Sequence, residues 1–421
     1  MSSELGREPG EAYVWAWLPG AIEPVVAGRV HVTGDLVNFN YGRSFLGREA
    51  AIPLYLPELP LRSGLIAPLD GLTLAGCISD AMPDAWGQRV VMNRLLGAGA
   101  DSADPAVFGP LTYMLESSSD RIGALDFQAS ADTYVAREDA DATLKELQEA
   151  ARLVDEKKPL SAGLDRALLH GSSVGGARPK ALLADGERRL IAKFSSTTDT
   201  YSVVKGEFAA MWLAARVGLD VAAVELTYSL GKDVLLVERF DRAQGPSGET
   251  RRAIVSALTM LELDEMAARY ASYADLAQIV RERFREPKAT LRELFARIVF
   301  NVLVGNTDDH ARNHAAFWDG EMLSLTPAYD ICPQPRAGGE ASQGMMIAPN
   351  GFRLSRLSGC LDAASTYLLK EAEAREIIDA QIGTIEAQWP EVCELARLSE
   401  VERTYFWRRQ FLNAYALEGY R

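Results

Sequence analysis

Cysteine is scarce and scattered in this chain. Its four cysteines, Cys77, Cys332, Cys360 and Cys393, form no Cys-x-x-Cys pair. That excludes the spacing of a zinc ribbon or a dithiol redox site and suits a reduced compartment. No apolar run approaches the roughly 18 residues needed to cross a bilayer. Met1 to Pro9 is polar and lacks the apolar stretch of a secretion signal. A soluble, cytoplasmic protein with no membrane partner is expected. Long Lys/Arg runs are also missing: 44 Lys and Arg stand against 58 Asp and Glu, a formal net charge of -14. Such a chain repels nucleic acid phosphates, so any DNA contact should come through a partner. No fixed-period repeat or low-complexity tract occurs.

What is present is an ordinary globular balance over 421 residues, with 48% hydrophobic and 24% charged residues. That length implies two or three domains or lobes. Tyr13–Leu18, Leu36–Tyr41 and Arg121–Phe127 read as strands. Trp86–Leu96 reads as a helix capped by Asp84. An acidic helix is expected over residues 139–156, stopped by Pro159, with the main boundary at Pro159–Leu164. Lys180–Ala184 and Arg189–Phe194 read as paired strands joined at Asp185-Gly186. A helix carrying Phe208, Met211, Trp212 and Ala215 follows, ended by Gly218, and then the apolar strand Val234–Val237. Beyond residue 255 the chain turns helical. Leu291, Leu294, Phe295, Ile298, Val299, Val302 and Leu303 mark one buried helix face, and Glu400–Leu417 reads as a final helix rich in aromatics.

Chemistry concentrates where that buried helix ends. Asn306-Thr307-Asp308-Asp309-His310-Ala311-Arg312-Asn313 crowds polar groups at the exit of an apolar element, which is costly unless they are solvated or used. A capped Asp/Asn turn would look similar in isolation. In the stretch Leu323–Asp330 a short strand then delivers one carboxylate, Asp330, 17 positions after Asn313. Phosphoryl transfer needs one Asp to accept the attacking hydroxyl's proton, plus an Asn five positions on and a later Asp to hold magnesium against phosphates. Asp308, Asn313 and Asp330 have that order. The His and Cys cluster that zinc prefers is missing.

Three upstream pieces fit the same chemistry. Gly171–Lys180 is rich in small residues whose N–H groups can approach phosphate, although it is neither a Walker A loop nor a strict G-x-G-x-x-G. Lys193 lies between apolar neighbours, suited to phosphate contact, with Glu207 as a partner. Glu238 to Phe240 follows the apolar strand, where a two-lobed kinase crosses between lobes. Each piece alone has a bland reading as a turn, an edge-strand lysine or a strand end. Their order along the chain is the signal.

The residues resemble the HipA kinases of bacterial toxin-antitoxin systems. Ser173–Lys180 resembles that family's S-x-x-G-A-x-x-K loop, and Val237–Arg242 its V-E-R-F-D-R. Asn306–Asn313 resembles N-x-D-x-H-x-K-N, with Arg312 where Lys is common. Thr326–Ile331 resembles its P-x-Y-D segment, Met82–Gly87 its L-P-D-x-W-G, and Gly123–Leu125 its G-A-L. The first fifty residues match loosely, and Arg178-Pro179 replaces the commoner Gln-Glu or Gln-Pro.

The resemblance implies an α+β fold. A protein-kinase-like pair of lobes, β-rich then helical, would carry an additional N-terminal α/β subdomain. The divisions would be residues 1–130, 131–254 and 255–421. Asp308 would be the base, assisted by Lys193, and Asn313 and Asp330 the magnesium ligands. ATP would contact Val174, Gly175, Gly176, Ala177, Arg178, Pro179, Lys180, Lys193, Glu238, Arg239, Phe240, His310, Ala311, Arg312, Asn313, Tyr329 and Asp330. Ser173 would be the autophosphorylation site that turns the kinase off, with Ser172 adjacent. The implied partners are a HipB-like helix-turn-helix antitoxin, which carries the DNA contact, and a protein substrate of the aminoacyl-tRNA synthetase kind, whose phosphorylation stalls growth. Two rivals share these residues: a small-molecule kinase of aminoglycoside-phosphotransferase type, and a non-catalytic scaffold acting with a DNA-binding antitoxin.

Overall fold

The computed structural model describes residues 9–97, 100, 103–137, 142–158, 160–169, 176, 178–336 and 338–420. The chain opens with β1 (Glu11–Ala16), β2 (Val25–Thr33) and β3 (Leu36–Tyr41), joined later by β4 (Leu125–Gln128). They form an antiparallel sheet in the order β3-β2-β1-β4. The strand expected from Arg121 starts only at Leu125. Arg121 is fully buried, and its guanidinium donates to Asp126 (2.8 Å) and to the carbonyls of Ala81 (3.0 Å) and Met114 (2.5 Å). Gly123 then takes φ +80°, which breaks any extended run.

Helix α1 (Ala85–Leu96) begins at Asp84, whose side chain accepts from the N–H groups of Trp86 and Gly87. Helix α2 (Leu144–Asp155) starts later than the acidic pattern suggested. Thr143 and Glu146 form a capping box there, which fixes the first turn. Helix α3 (Ala162–Leu169) occupies the stretch read as a boundary. Leu160 and Leu164 pack against a buried cluster instead of lining a linker.

The second sheet contains β5 (Lys180–Asp185), β6 (Arg188–Lys193), β7 (Val224–Ser229) and β8 (Lys232–Glu238), in the order β5-β6-β8-β7. Gly186, at φ +60°, supplies the tight β5–β6 turn. Strand alternation decides what each face buries. Ala181, Leu190, Ala192, Val234 and Leu236 meet Trp86 of α1 and Leu147, Ala151 and Val154 of α2. Leu235 and Val237 point the other way, into the core shared with α4 (Val203–Arg216). Gly218, at φ +88°, ends α4 as expected.

A hairpin, β9 (Arg242–Gly245) and β10 (Gly248–Arg251), precedes β11 (Ala253–Ser256). The helical part follows: α5 (Tyr273–Arg283), α6 (Pro287–Val304) and α7 (Glu371–Leu395). Between α6 and α7, β12 (Ala315–Trp318) and β13 (Leu323–Leu325) add to β11 as a small antiparallel sheet. The final helix expected over Glu400–Leu417 is two short helices, Glu400–Phe406 and Ala414–Leu417. Arg408 and Leu412 take left-handed backbone between them, and Leu412 N–H donates to Leu303 O of α6 at 2.7 Å. The break lets Trp407 and Phe411 both pack on Trp389, with centroids 4.8 Å away in each pair. No described helix is long and apolar enough to cross a membrane.

Candidate active site

The site is built on the end of α6. Its C-cap is Gly305 at φ +71°. A Cβ there would lie 2.7 Å from Gln410 O, so both the conformation and the space call for glycine. The chain then folds back: Asn306 N–H donates to Asn301 O (2.9 Å), and its amide Nδ2 donates to Asn301 Oδ1 (3.0 Å).

Two adjacent carboxylates now diverge. Asp309 is buried, and its Oδ2 accepts from the Tyr273 hydroxyl, from Asn301 Nδ2 (2.7 Å) and from His314 Nε2 (3.0 Å). With Asp309 anchored inward, Asp308 stays exposed at the loop surface. Protein packed on its inner side pushes the Asp308 carboxyl up; His310 opposes this, and Asp330 and Asp309 add to it. An elevated carboxyl suits proton acceptance near neutral pH. Five residues on, Asn313 donates to the Asp308 carbonyl at 3.4 Å, leaving its amide oxygen for a ligand.

Strand β13 and the bridge between Ala328 and Val221 bring Asp330 into the same cleft. Asp330 takes φ +60°, a left-handed conformation that costs a non-glycine residue energy and is concentrated at functional sites. Its Oδ1 lies 2.5 Å from Lys193 Nζ, at the end of β6. The same amine lies 2.5 Å from Glu207 Oε1 on α4. Burial raises the Asp330 carboxyl, but Lys193 and then Lys180 overcome it and hold it at about 2. Burial alone lowers the Lys193 amine, whereas Asp330 and Glu207 hold it well above its ordinary value. Lys180 opens β5 directly across from Lys193 and is also buried.

The inter-lobe crossing behaves differently from the sequence reading in one respect. Glu238 is the exposed last residue of β8, and Phe240 packs on Tyr329 (centroids 5.6 Å) and Phe317 (5.9 Å). The Arg239 side chain is buried elsewhere: it donates to Asp241 (2.9 and 2.8 Å), Asp120 (2.9 Å) and Arg121 O (2.7 Å). Its N–H goes to Arg189 O. Its side chain is therefore committed to clamping this crossing onto Asp120 and Arg121 and is not offered to a nucleotide.

Tyr329 donates to Arg312 O at 2.7 Å, tying the Asp330 segment to the loop of residues 306–313. Arg312 reaches Glu265 (2.7 Å) and Asp80 (3.7 Å). His310, Ala311 and Arg312 line a cavity of about 140 Å³ with Glu265, Ala268, Arg269 and Gly344. Arg178 pairs with Asp199, and Pro179 O accepts from Phe194 N–H at 2.9 Å. Ser172, Ser173, Val174, Gly175 and Ala177 lie outside the described residues. Sequence reasoning missed the supporting groups: the Tyr273–Asn301–His314 anchor of Asp309, Asp80 behind Arg312, and Asp84 facing Lys180. Tyr273, Asp80 and Asp84 are distant in sequence from the groups they support, and Asn301 and His314, though only 8 and 5 residues from Asp309, belong to no motif that announces the contact.

No group of three or more His, Cys, Asp or Glu able to hold a metal exists among the described residues. This donor set fits magnesium: one carboxylate and one amide oxygen are hard ligands, and magnesium completes its shell with water and phosphate. Asn313 and Asp330 would hold it, and bound to phosphates it would neutralise their charge.

Comparison with known proteins bears on the family and the fold. Residues 172–389 match the HipA-like C-terminal domain. Y4mE of Sinorhizobium fredii, named as a kinase, is 30% identical over 195 residues, covering 41% of this chain and 44% of that protein. The serine/threonine-protein kinase toxin HipA of Shewanella oneidensis is 28% identical over 183 residues, covering 38% and 42%. The matches thus span under half the length of these curated relatives. A structure of Shewanella oneidensis HipA, solved with HipB and operator DNA, superposes with a TM-score of 0.68 at 20% identity, covering 94% of this chain and 95% of that one. That likeness gives the fold: α+β and kinase-like, over nearly the whole chain. With over half of its length matched by that domain, the chain belongs to the HipA-like C-terminal domain family.

Proposed function

We propose that this protein is an ATP-dependent serine/threonine protein kinase of the HipA toxin type. The observation that carries the reading is the Lys193 amine shared by Glu207 and Asp330, in the cleft whose catalytic loop presents Asp308. Lys193 and Lys180 would meet the phosphates; with the Glu238 and Arg239 N–H groups bonded to Ala223 O and Arg189 O, the carbonyls of Glu238 to Phe240 and the Phe240 N–H would meet the adenine. Asp308 would take the proton of a substrate hydroxyl as it attacks the terminal phosphorus, and ADP would leave. Magnesium on Asn313 and Asp330 would neutralise phosphate charge. Residues 1–130 form the added subdomain, 131–254 the β-rich lobe and 255–421 the helical lobe.

One relative, the kinase toxin HipA of Shewanella oneidensis, supports a toxin role. The company of HipB and DNA in the similar structure supports an antitoxin partner that carries the DNA contact, which suits a chain of net charge -14. The proposed target is a protein, of the aminoacyl-tRNA synthetase class, in the cytoplasm. Phosphorylation of Ser173 adds about −1.5 to −2 charge to the phosphate loop and would expel it from ATP's phosphates.

Labelled ATP, magnesium and whole-cell lysate test the activity. A labelled protein band supports the proposal. Label on a small metabolite supports a small-molecule kinase, and no transfer at all supports a scaffold. Mass spectrometry of the active protein beside Asp308→Asn tests the switch: phosphate on Ser173 in the first alone is expected.

A further inference from the structure

Lys180 and Lys193 are direct cross-strand partners on β5 and β6, so both side chains leave the same face of the sheet. Like charges in that position repel. Lys193 has two carboxylates at 2.5 Å. The Lys180 amine faces a carboxylate from far up the chain, with Asp84 Oδ2 4.0 Å away. That oxygen is buried and takes no hydrogen bond from a described group. The other oxygen, Oδ1, is fixed by the first turn of α1, accepting from Trp86 N–H (3.1 Å) and Gly87 N–H (3.0 Å). Trp86 adds two more ties: its N–H reaches Gly176 O (3.4 Å), and its indole N–H donates to Lys180 O (2.9 Å). Gly176 itself takes φ +103°, and a Cβ on it would lie 2.3 Å from Lys180 Nζ. The start of α1 therefore grips Lys180 at its carbonyl, confronts its amine and touches the phosphate loop.

We propose that Asp84 is a positioning residue for phosphate binding, holding the Lys180 ammonium charged and aimed beside the loop. The inference rests on reading this cleft as an ATP site. Burial disfavours the charged Lys180 amine and raises the Asp84 carboxyl, and each group offsets that effect on the other; with Lys180 pulling it down, Asp84 still stands at about 6. Among the other described groups, Lys193 opposes the Lys180 ammonium, and Asp330 and Glu207, which favour it, are engaged with Lys193. Without the Asp84 charge, Lys180 shifts toward the neutral amine, which attracts phosphate less.

Asp and Asn are equal helix caps, so Asp84→Asn removes the charge and keeps the cap. Calorimetric titration of the full chain with ATP and magnesium, alongside thermal melts, reads the effect. Asp84→Asn should raise the Kd about fivefold, the size of one partly solvated charge contact. Its melting midpoint should fall far less than that of Lys193→Met, because Asp84 and Lys180 are 4.0 Å apart and the cap is kept. Lys180→Met should weaken binding by itself, and adding Asp84→Asn to it should change nothing further. Asp84→Ser, a second capping variant without charge, should match Asp84→Asn; loss of the fold in both would make Asp84 purely structural and overturn the assignment. If wild type binds no ATP, the nucleotide reading fails first and this inference with it. If wild type binds ATP but Asp84→Asn binds as tightly or more tightly, or weakens binding equally in the Lys180→Met background, the inference alone is wrong.

Discussion

Lys193 reaches Asp330 across 137 residues of sequence, and the two side chains meet at 2.5 Å. The pair joins the β-rich part of the chain to the helical part at the point where phosphates would lie. Because Lys193 also holds Glu207, removing it leaves two carboxylates without their cation. Truncating one partner of a buried pair costs about 3–5 kcal/mol, and the partial exposure of Asp330 places Lys193→Met at or below the low end. A lower urea midpoint in Lys193→Met, together with loss of phosphoryl transfer, is the expected result.

The same pair makes stability depend on acid. Asp330 has a folded pKa of about 2, below the ordinary carboxylate value of about 3.9. A depressed pKa contributes stability that is present above the unfolded value and is lost as pH falls through the folded one. Between pH 4 and pH 2, wild type should therefore lose more stability than Asp330→Asn. Urea melts across that window measure it, and parallel curves for the two proteins would contradict the pairing.

Asp309 has a structural task. It satisfies Tyr273, Asn301 and His314 inside the core. Asp309→Ala strands these buried groups, each worth about 1–3 kcal/mol when left unpaired. Its thermal midpoint should fall far below that of Asp308→Asn, whose side chain is exposed. Equal midpoints would show that the anchor is unimportant.

Metal binding separates two further residues. Asp330→Ala should weaken magnesium-dependent ATP binding more than Asn313→Ala, because a carboxylate attracts a dication more strongly than an amide. Calorimetry with and without magnesium decides this. Equal affinity in wild type and Asp330→Ala with magnesium present would remove the metal site.

Local signals made much of this legible. The five-residue spacing of Asp308 and Asn313, the apolar face of α6 and the β5–β6 hairpin all reflect short-range pattern. Asp84 was readable as a cap, because capping is local, but its second oxygen facing Lys180 depends on how α1 packs on a distant sheet. The neighbouring carboxylates Asp308 and Asp309 look equivalent in sequence. Only the core contributed by Tyr273 and Asn301 decides which one turns inward. Arg239 likewise reads as part of a nucleotide-facing segment until Asp120 and Asp241 claim its guanidinium. The final helix failed for a related reason: aromatic content at helical spacing did not reveal that Leu412 bonds to α6.

The most direct measurement is phosphoryl transfer by Asp308→Asn, read beside its ATP affinity. The substitution is nearly isosteric and removes the charge that would accept the hydroxyl proton. Transfer of labelled phosphate from ATP to protein should fall by about a hundredfold to ten-thousandfold, while ATP and magnesium still bind as in wild type. Near-normal transfer in a clean Asp308→Asn preparation would contradict the assignment of Asp308 as the base and the kinase mechanism built on it.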